Sequence, residues 1–303
     1  MKKFLITGGT GLLAINWALE HRNNCNFVLT TNERKTQFTG VIFKYVNLSS
    51  REDIRKILED FLPDAVIHTV AITSVEECEK NPIAAHTVNT VLAVNVAEEC
   101  SALAIPMVHI STDHLFGGQV SLSTEEDKVA PLNVYAKSKA EAERAVLCAC
   151  KHALVIRTNF FGWGTSYRKS FSDYILNSLR SGKQITLFND VFYNPILISS
   201  LIEAINNLLD KKESGVFNVV GNDRVSKYEF GLILARVFNL SENLIIPCSI
   251  KERGDLIKRP LDMSLSNQKL KKILGRNIRS LIEDTYLLKA MEESYFAKQI
   301  SMI

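Results

Sequence analysis

The sequence predicts an α/β protein: a doubly wound, open parallel sheet followed by a smaller C-terminal α/β region. Three observations carry that expectation. Short apolar runs alternate with helix-length segments from residue 4 to about residue 157, the pattern of strand–helix–strand units in a parallel sheet. A glycine-rich turn, Thr7-Gly8-Gly9-Thr10-Gly11, separates the first apolar run from the first helical one. Several apolar runs end in small or polar residues, as strands do when a ligand sits outside the carboxyl edge of such a sheet.

Taken in order, Phe4-Leu5-Ile6 is the first strand, and a helix follows the glycine turn to about Arg22. Residues 26–31 form the second strand and 41–46 the third, which ends at Asn47-Leu48 before a helix over 51–61. The fourth strand, 64–68, runs into Thr69-Val70-Ala71-Ile72-Thr73-Ser74, where small residues leave room for a ligand near the backbone. Asn81-Pro82 breaks the chain before a long helix over 83–104. The fifth strand, 105–110, carries Ser111-Thr112 at its carboxyl end. A helix over 134–151 and a sixth strand over 153–157 complete a dinucleotide-binding domain of residues 1–158. Beyond it the pattern loosens into polar and aromatic loops, helices at 170–181 and 197–210, a strand at 216–220 and a mainly helical remainder. This predicts a substrate domain over 159–303, with 193–211 returning to the large sheet.

Composition narrows the function. A chain of 303 residues, 46% hydrophobic, buries a substantial core. Its net charge of +3 comes from interspersed acids and bases, with no basic block or basic–aromatic alternation, which argues against a nucleic-acid partner. No apolar run approaches the ~18 residues of a membrane span. The opening Met1-Lys2-Lys3-Phe4-Leu5-Ile6 stops at Thr7-Gly8-Gly9, short of the ~7–15 apolar residues of a signal peptide. A cytoplasmic protein is expected. Cys25, Cys78, Cys100, Cys148, Cys150 and Cys248 lack metal-ligand spacing and read as buried reduced thiols, so no metal site is expected. His68, His86 and His109 read as interior histidines with satisfied hydrogen bonds. Trp163 either faces the ligand or packs between the domains.

The chemistry is concentrated in Asn133-Val134-Tyr135-Ala136-Lys137-Ser138-Lys139 and in Ser111-Thr112-Asp113 upstream. Side chains four apart share a helix face, so Tyr135 and Lys139 reach one point. A free phenol has a pKa of about 10, and a neighbouring ammonium favours the phenolate and lowers it. Tyr135 is thereby expected to carry a proton to or from a substrate oxygen held by Thr112. The spacing Gly8-x-x-Gly11-x-x-Ala14 brings backbone N–H groups to a phosphate at the positive end of a helix. In a Rossmann-type sheet that phosphate belongs to a dinucleotide. The acid that usually holds the adenosine ribose is missing from Thr30-Thr31-Asn32-Glu33-Arg34-Lys35, where Arg34 suits a 2′-phosphate. NADPH is therefore expected over NADH. The cofactor-binding residues expected are Gly8, Thr10, Gly11 and Leu12 in the turn, Thr31 and Arg34 after the second strand, and Asn47 and Leu48 after the third. Val70, Ala71 and Ile72 after the fourth strand, with Tyr135 and Lys139, complete the set.

Thr7-Gly8-x-x-Gly11-x-x-Ala14, Asp64-Ala65-Val66-Ile67-His68-x-x-Ala71, Ser111-Thr112-Asp113 and Tyr135-x-x-x-Lys139 together resemble extended short-chain dehydrogenases/reductases. Ser111-Thr112-Asp113-His114-Leu115-Phe116-x-Gly118, Glu126-Asp127, Pro131-x-Asn133-x-Tyr135 and Arg259-Pro260 are similar to dTDP-4-dehydrorhamnose reductase and related nucleotide-sugar 4-ketoreductases. The resemblance implies NADPH-dependent reduction of a 4-keto-6-deoxy nucleotide sugar. Catalysis would fall to Thr112, Tyr135 and Lys139, and substrate contacts to Thr73, Asp113, His114, Asn159, Phe160 and Arg259, the last on the diphosphate. It also implies a homodimer through the helices at 83–104 and 134–151. His114 stands where the family has tyrosine, Phe160 near a common tryptophan, Asn47 for an aspartate and Ala136 for a glycine. Two alternatives stay open: an epimerase of the same fold, and a non-catalytic NADP-binding subunit like the regulatory subunit of methionine adenosyltransferase. A dehydratase is disfavoured, because Thr112-Asp113-His114 lacks the glutamate such enzymes carry.

Overall fold

The computed structural model describes residues 1–32 and 36–303. The first half runs β1 (Lys2–Thr7), α1 (Leu12–His21), β2 (Cys25–Thr31), β3 (Ile42–Tyr45), α2 (Arg51–Phe61) and β4 (Ala65–His68). It continues with α3 (Val75–Lys80), α4 (Pro82–His86), α5 (Leu92–Ala102), β5 (Met107–Ile110), α6 (Val134–Ala149) and β6 (Leu154–Arg157). Next come β7 (Phe160–Phe161), α7 (Phe171–Arg180), β8 (Ile185–Phe188), β9 (Phe192–Tyr193), β10 (Ile196–Leu197) and α8 (Ile198–Asp210). The chain closes with β11 (Gly215–Asn218), β12 (Val225–Ser226), α9 (Lys227–Val237), β13 (Ile245–Cys248), α10 (Gln268–Leu274), α11 (Leu281–Glu293) and α12 (Phe296–Ser301).

Seven strands form one parallel sheet in the order β3-β2-β1-β4-β5-β6-β11. The order reverses between β1 and β4, and the loops leaving those two strands part to form a crevice. Strands covered on both faces need apolar residues at successive positions, and β1 divides them cleanly. Phe4 and Ile6 join Phe27, Leu29, Trp17 and Leu201 on one face. Leu5 joins Val28, Ile54, Leu58 and Val96 on the other. The first of these cores continues without interruption to Phe230 and Leu288 in the C-terminal region.

After β6 the chain leaves the sheet and returns. Helix α8 packs on α1, where the Ser199 hydroxyl donates to Glu20 at 2.8 Å. The return extends beyond residues 193–211, because β11 becomes the sheet's edge strand beside β6. The remaining short strands pair as β7 with β10, β8 with β13 and β9 with β12, and β7 brings Phe160 to the crevice.

Some expectations need correction. The single helix over 83–104 is α4, a π-helical turn at Thr87–Val91 and α5. The extra residue of the π turn swings Asn89 inward, where its amide accepts from Ile72 N at 2.7 Å and donates to Ile72 O and to Ser138 Oγ. Ahead of it lies α3, which the sequence did not suggest, begun by Ser74 accepting from Glu77 N. His86 is exposed and pairs with Glu141 at 3.2 Å, so it is not an interior histidine. Among the thiols only Cys78, Cys100 and Cys150 are buried; Cys25 and Cys248 are half-buried and Cys148 is exposed. Among the described residues no helix is long and apolar enough to cross a membrane.

One ion pair fastens α6 to the sheet. Arg157 at the end of β6 donates to Glu143 through Nε at 3.1 Å and Nη2 at 2.8 Å, and both side chains are buried. Removing one member leaves an uncompensated charge in the interior, which costs about 3–5 kcal/mol. Glu143→Ala is therefore expected to lower unfolding free energy by that order in urea titrations. Replacing both residues with apolar ones of similar volume should recover much of the loss.

Candidate active site

The crevice is a cleft of about 610 Å³. One end is the turn between β1 and α1. Gly8 takes φ +72°, and a Cβ there would lie 2.8 Å from Thr69 Oγ1. Gly9 presses on β2, donating to Thr30 O at 2.8 Å. Gly11 is the N-cap of α1 and supplies no side-chain cap, and the first turn carries no acid. The helix thus presents unsatisfied N–H groups and its positive end to the cleft. Tyr167 closes over the turn, its hydroxyl donating to Thr10 O at 3.0 Å.

The middle of the cleft is set by the end of β5 and the start of α6. Asn133 caps α6 by accepting from Ala136 N at 2.9 Å, and its amide donates to Lys258 O. The cap fixes which face turns inward, and Tyr135 and Lys139 are 8% and 2% exposed. The Thr112 side chain acts on the Tyr135 phenol, while its hydroxyl donates to Asp113 Oδ1 at 3.3 Å and accepts from His114 N. The expectation that Lys139 acidifies Tyr135 is corrected here. Burial pushes the phenol up to about 12, with Asp113 adding to the rise and the Thr112 side chain opposing it. The ammonium is engaged elsewhere: it donates to Ile110 O at 2.7 Å and lies 3.2 Å from His109 Nε2. Burial pulls Lys139 down to about 8 despite the nearby Glu143 carboxylate. His109 stacks on His68 at 5.6 Å, and burial holds both rings neutral. They are interior as expected but only half satisfied: Thr7 serves His68 Nδ1, while His68 Nε2 and His109 Nδ1 have no partner.

The far end is polar and aromatic. Asp113 is buried and accepts from Asn159 Nδ2 at 2.6 Å. His114 stands edge-on to Tyr135 at 5.7 Å, and burial lowers its pKa, with Lys227 and Arg259 adding to the fall and Asp113 opposing it. Phe160 and Phe171 line the wall. Arg168 reaches across the mouth towards Thr73 Oγ1 at 3.4 Å.

Most of the residues expected from sequence meet in this cleft. The turn residues Gly8, Thr10, Gly11 and Leu12 line it, as do Val70, Ala71 and Thr73 after β4. Thr112, Asp113, His114, Tyr135, Lys139, Asn159 and Phe160 complete the overlap. Others lie apart. Thr31 ends β2 outside the lining, Asn47 is exposed with its amide oxygen accepting from Ser49 N, and Leu48 O accepts from Asn95. Ile72 turns its backbone to Asn89. Arg259 forms an ion pair with Glu76 and donates to Ile257 O. Arg34 falls outside the described residues. Trp163 packs, donating to Leu288 O at 2.9 Å and meeting Phe238 edge-on. Sequence reasoning missed Thr69, Thr158, Arg168 and Phe171 in the lining, and Lys227 behind it. Thr69 and Thr158 follow the expected strands β4 and β6 but carry no motif of their own, while Arg168, Phe171 and Lys227 come from segments whose only local signals are helix caps.

A doubly wound sheet whose glycine turn, Thr112 and Tyr135-x-x-x-Lys139 share one cleft is the fold of an extended short-chain dehydrogenase/reductase. Within that class the chain belongs to the RmlD substrate binding domain family, whose model matches residues 1–291. It is 28% identical over 294 residues to a probable low-salt glycan biosynthesis reductase, Agl14, of Haloferax volcanii, covering 96% of this chain and 98% of that protein. It is 26% identical over 286 residues to the methionine adenosyltransferase 2 subunit beta of Danio rerio, covering 92% of this chain and 87% of that one. In fold it is similar to the dTDP-4-dehydrorhamnose reductase of Bacillus anthracis in complex with NADP. That likeness has a TM-score of 0.81 and 22% identity, over 96% of this chain and 99% of the other.

Gly8→Ala tests the turn. Left-handed backbone costs a non-glycine residue about 1–2 kcal/mol, and the new methyl also meets Thr69 and Val70. The variant is expected to melt at lower temperature and to bind a nicotinamide dinucleotide at least tenfold more weakly, by a cost of about 1.4 kcal/mol per tenfold, in a fluorescence titration.

Proposed function

We propose that the protein is an NADPH-dependent reductase of a 4-keto-6-deoxy sugar carried on a nucleotide. The observation that carries this reading is a buried phenol that shares a cleft with Thr112, Lys139 and a glycine turn at an uncapped helix N-terminus. The residues fit a dinucleotide. A side chain at Gly8 would fill the cradle, and the N–H groups at the uncapped start of α1 suit its pyrophosphate. Lys139 would bond its nicotinamide ribose, and Arg34 is proposed for the 2′-phosphate. When bound, this cofactor supplies the hydride.

The chain's own residues do the rest. Thr112 and Tyr135 hold the ketone oxygen between two hydroxyls, fixing the carbonyl for attack. Tyr135 gives its proton to that oxygen as negative charge develops there. Lys139, bonded to Ile110 O and His109, holds α6 and with it Tyr135 at Thr112. A phenol at about 12 is a proton donor throughout the neutral range, which suits reduction. His114, whose pKa burial lowers, packs edge-on against Tyr135. Asp113, Asn159, Phe160 and Thr73 are proposed to meet the sugar. Arg259 reaches a diphosphate only by leaving Glu76.

The test is NADPH oxidation in the presence of dTDP-4-keto-6-deoxyglucose, followed by nicotinamide absorbance. Tyr135→Phe should lower kcat by about 10²–10⁴ with NADPH affinity unchanged. Lys139 keeps its ammonium below pH about 8 and loses it above. The kcat for reduction should therefore be level below that pH and fall as pH rises through it. Tight NADPH binding with no oxidation across dTDP-, UDP-, GDP- and CDP-linked keto sugars would instead support a non-catalytic binding subunit.

A further inference from the structure

Behind the cleft, beside its lining residue Phe171, sits a cation with no hydrogen-bond or ion-pair partner among the described residues. Lys227 is half-buried at the start of α9, with its Nζ 3.3 Å from the centroid of the Tyr193 ring and 5.2 Å from that of Phe171. Among the described residues its ammonium donates no hydrogen bond and makes no ion pair within 4.0 Å. It does not serve its helix: a cation in the first turn opposes the helix dipole, and Ser226 with Glu229 already forms the capping box.

Around it lie other groups with unused bonding capacity. The Tyr193 hydroxyl and His114 Nδ1 are buried without partners. Asp113 interacts electrostatically with Lys227, Tyr193 and His114. One of its oxygens takes the 2.6 Å bond from Asn159, and the other a 3.3 Å contact from Thr112 with His114 Nε2 at 3.9 Å. Arg259 also acts on Lys227, but Glu76 offsets it. A buried polar cluster with spare donors and an acceptor side by side is costly unless something completes it.

We infer that Lys227 and Asp113, with Tyr193 beside them, bind the hydroxyl groups of an uncharged hexose ring, at the end of the cleft away from the glycine turn. This rests on the reductase reading for the presence of a sugar and specifies which face of the site grips it. A hydroxyl accepts from the ammonium while donating to the carboxylate, and so uses both. A carboxylate, as on a uronic acid, would meet the Asp113 charge. The rings of Phe160 and Phe171 suit the apolar face of a pyranose. Lys227 is thus a specificity-determining residue that no motif in the sequence marks.

Calorimetric titration of the NADP-loaded protein with dTDP-glucose and with dTDP isolates the sugar's share of binding. Lys227→Met should weaken dTDP-glucose by about tenfold, the scale of one hydrogen bond to a charged group, and leave dTDP and NADPH affinity unchanged. Lys227→Gln, which keeps a donor, should recover part of the loss and serves if the first variant folds poorly. Unchanged dTDP-glucose affinity, or an equal loss for dTDP, overturns the inference, as does tighter binding of dTDP-glucuronate than of dTDP-glucose. If dTDP-glucose and dTDP-4-keto-6-deoxyglucose both fail to bind the wild type, the reductase reading falls and this inference with it. If they bind and only the Lys227 variants fail to discriminate, this inference falls alone.

Discussion

Placing an ammonium inside an α/β core costs several kcal/mol unless its surroundings compensate, and the surroundings of Lys139 do so only in part. The Ile110 carbonyl and the neutral ring of His109 take two of its protons, and Glu143 adds attraction from the next helical turn. Glu143 is in turn held by Arg157 on β6. Even so, the fall in pKa from 10.5 to about 8 leaves a deficit of order 3 kcal/mol at neutral pH, at about 1.4 kcal/mol per unit. A leucine or methionine would fill the position without that penalty. What the penalty secures is position: the bonds to β5 hold α6 against the carboxyl edge of the sheet, and Tyr135 is carried with it to Thr112. The site depends on a cation that the fold alone has no need of.

That arrangement corrects the simplest reading of Tyr-x-x-x-Lys. Spacing on a helix gives two side chains a common face, but not the dielectric around them or the competing partners within reach. Burial raises the Tyr135 phenol more than the Thr112 hydroxyl lowers it, and Lys139 finds a carbonyl and an imidazole before it finds the phenol. At neutral pH a phenol near 12 is almost wholly protonated, so it enters a reaction carrying its proton.

How much was legible follows from how local each determinant is. Strands β1, β2, β4, β5 and β6 are short apolar runs because both their faces are covered, and such runs stand out in a sequence. The glycine turn and the Tyr135 helix are contiguous motifs, so their meeting in one cleft followed from the parallel sheet. The π turn at Thr87–Val91 was not legible, because it is maintained by Asn89 bonding to Ile72 and Ser138, which are distant in the chain. Nor was the edge position of β11, whose four residues read like any short strand until β6 is beside them. Lys227 sits in Ser226-Lys227-Tyr228-Glu229, which announces only the start of a helix. Its place at the cleft depends on Tyr193 and Phe171, from two other elements.

The distribution of charge then separates the cleft into two parts. Arg168 is exposed at the mouth, its guanidinium donating to Thr73 Oγ1 at 3.4 Å, and Arg259 is held by Glu76. The inner end, where Lys227 and Asp113 offset each other, is close to neutral and walled by aromatic rings. An anionic nucleotide diphosphate is better placed towards the first part, where an exposed guanidinium offers paired donors without an interior carboxylate to oppose it. An uncharged ring with hydroxyls is better placed in the second. On the proposed reading, a nucleotide sugar entering sugar-first meets both environments in the right order, and its ketone comes to rest between Thr112 and Tyr135 because the polar inner end takes hold of the hydroxyls beyond it. Motif reasoning favoured Arg259 because Arg-Pro is a recognisable pair; the electrostatics favour a division of labour that no single pair of residues encodes.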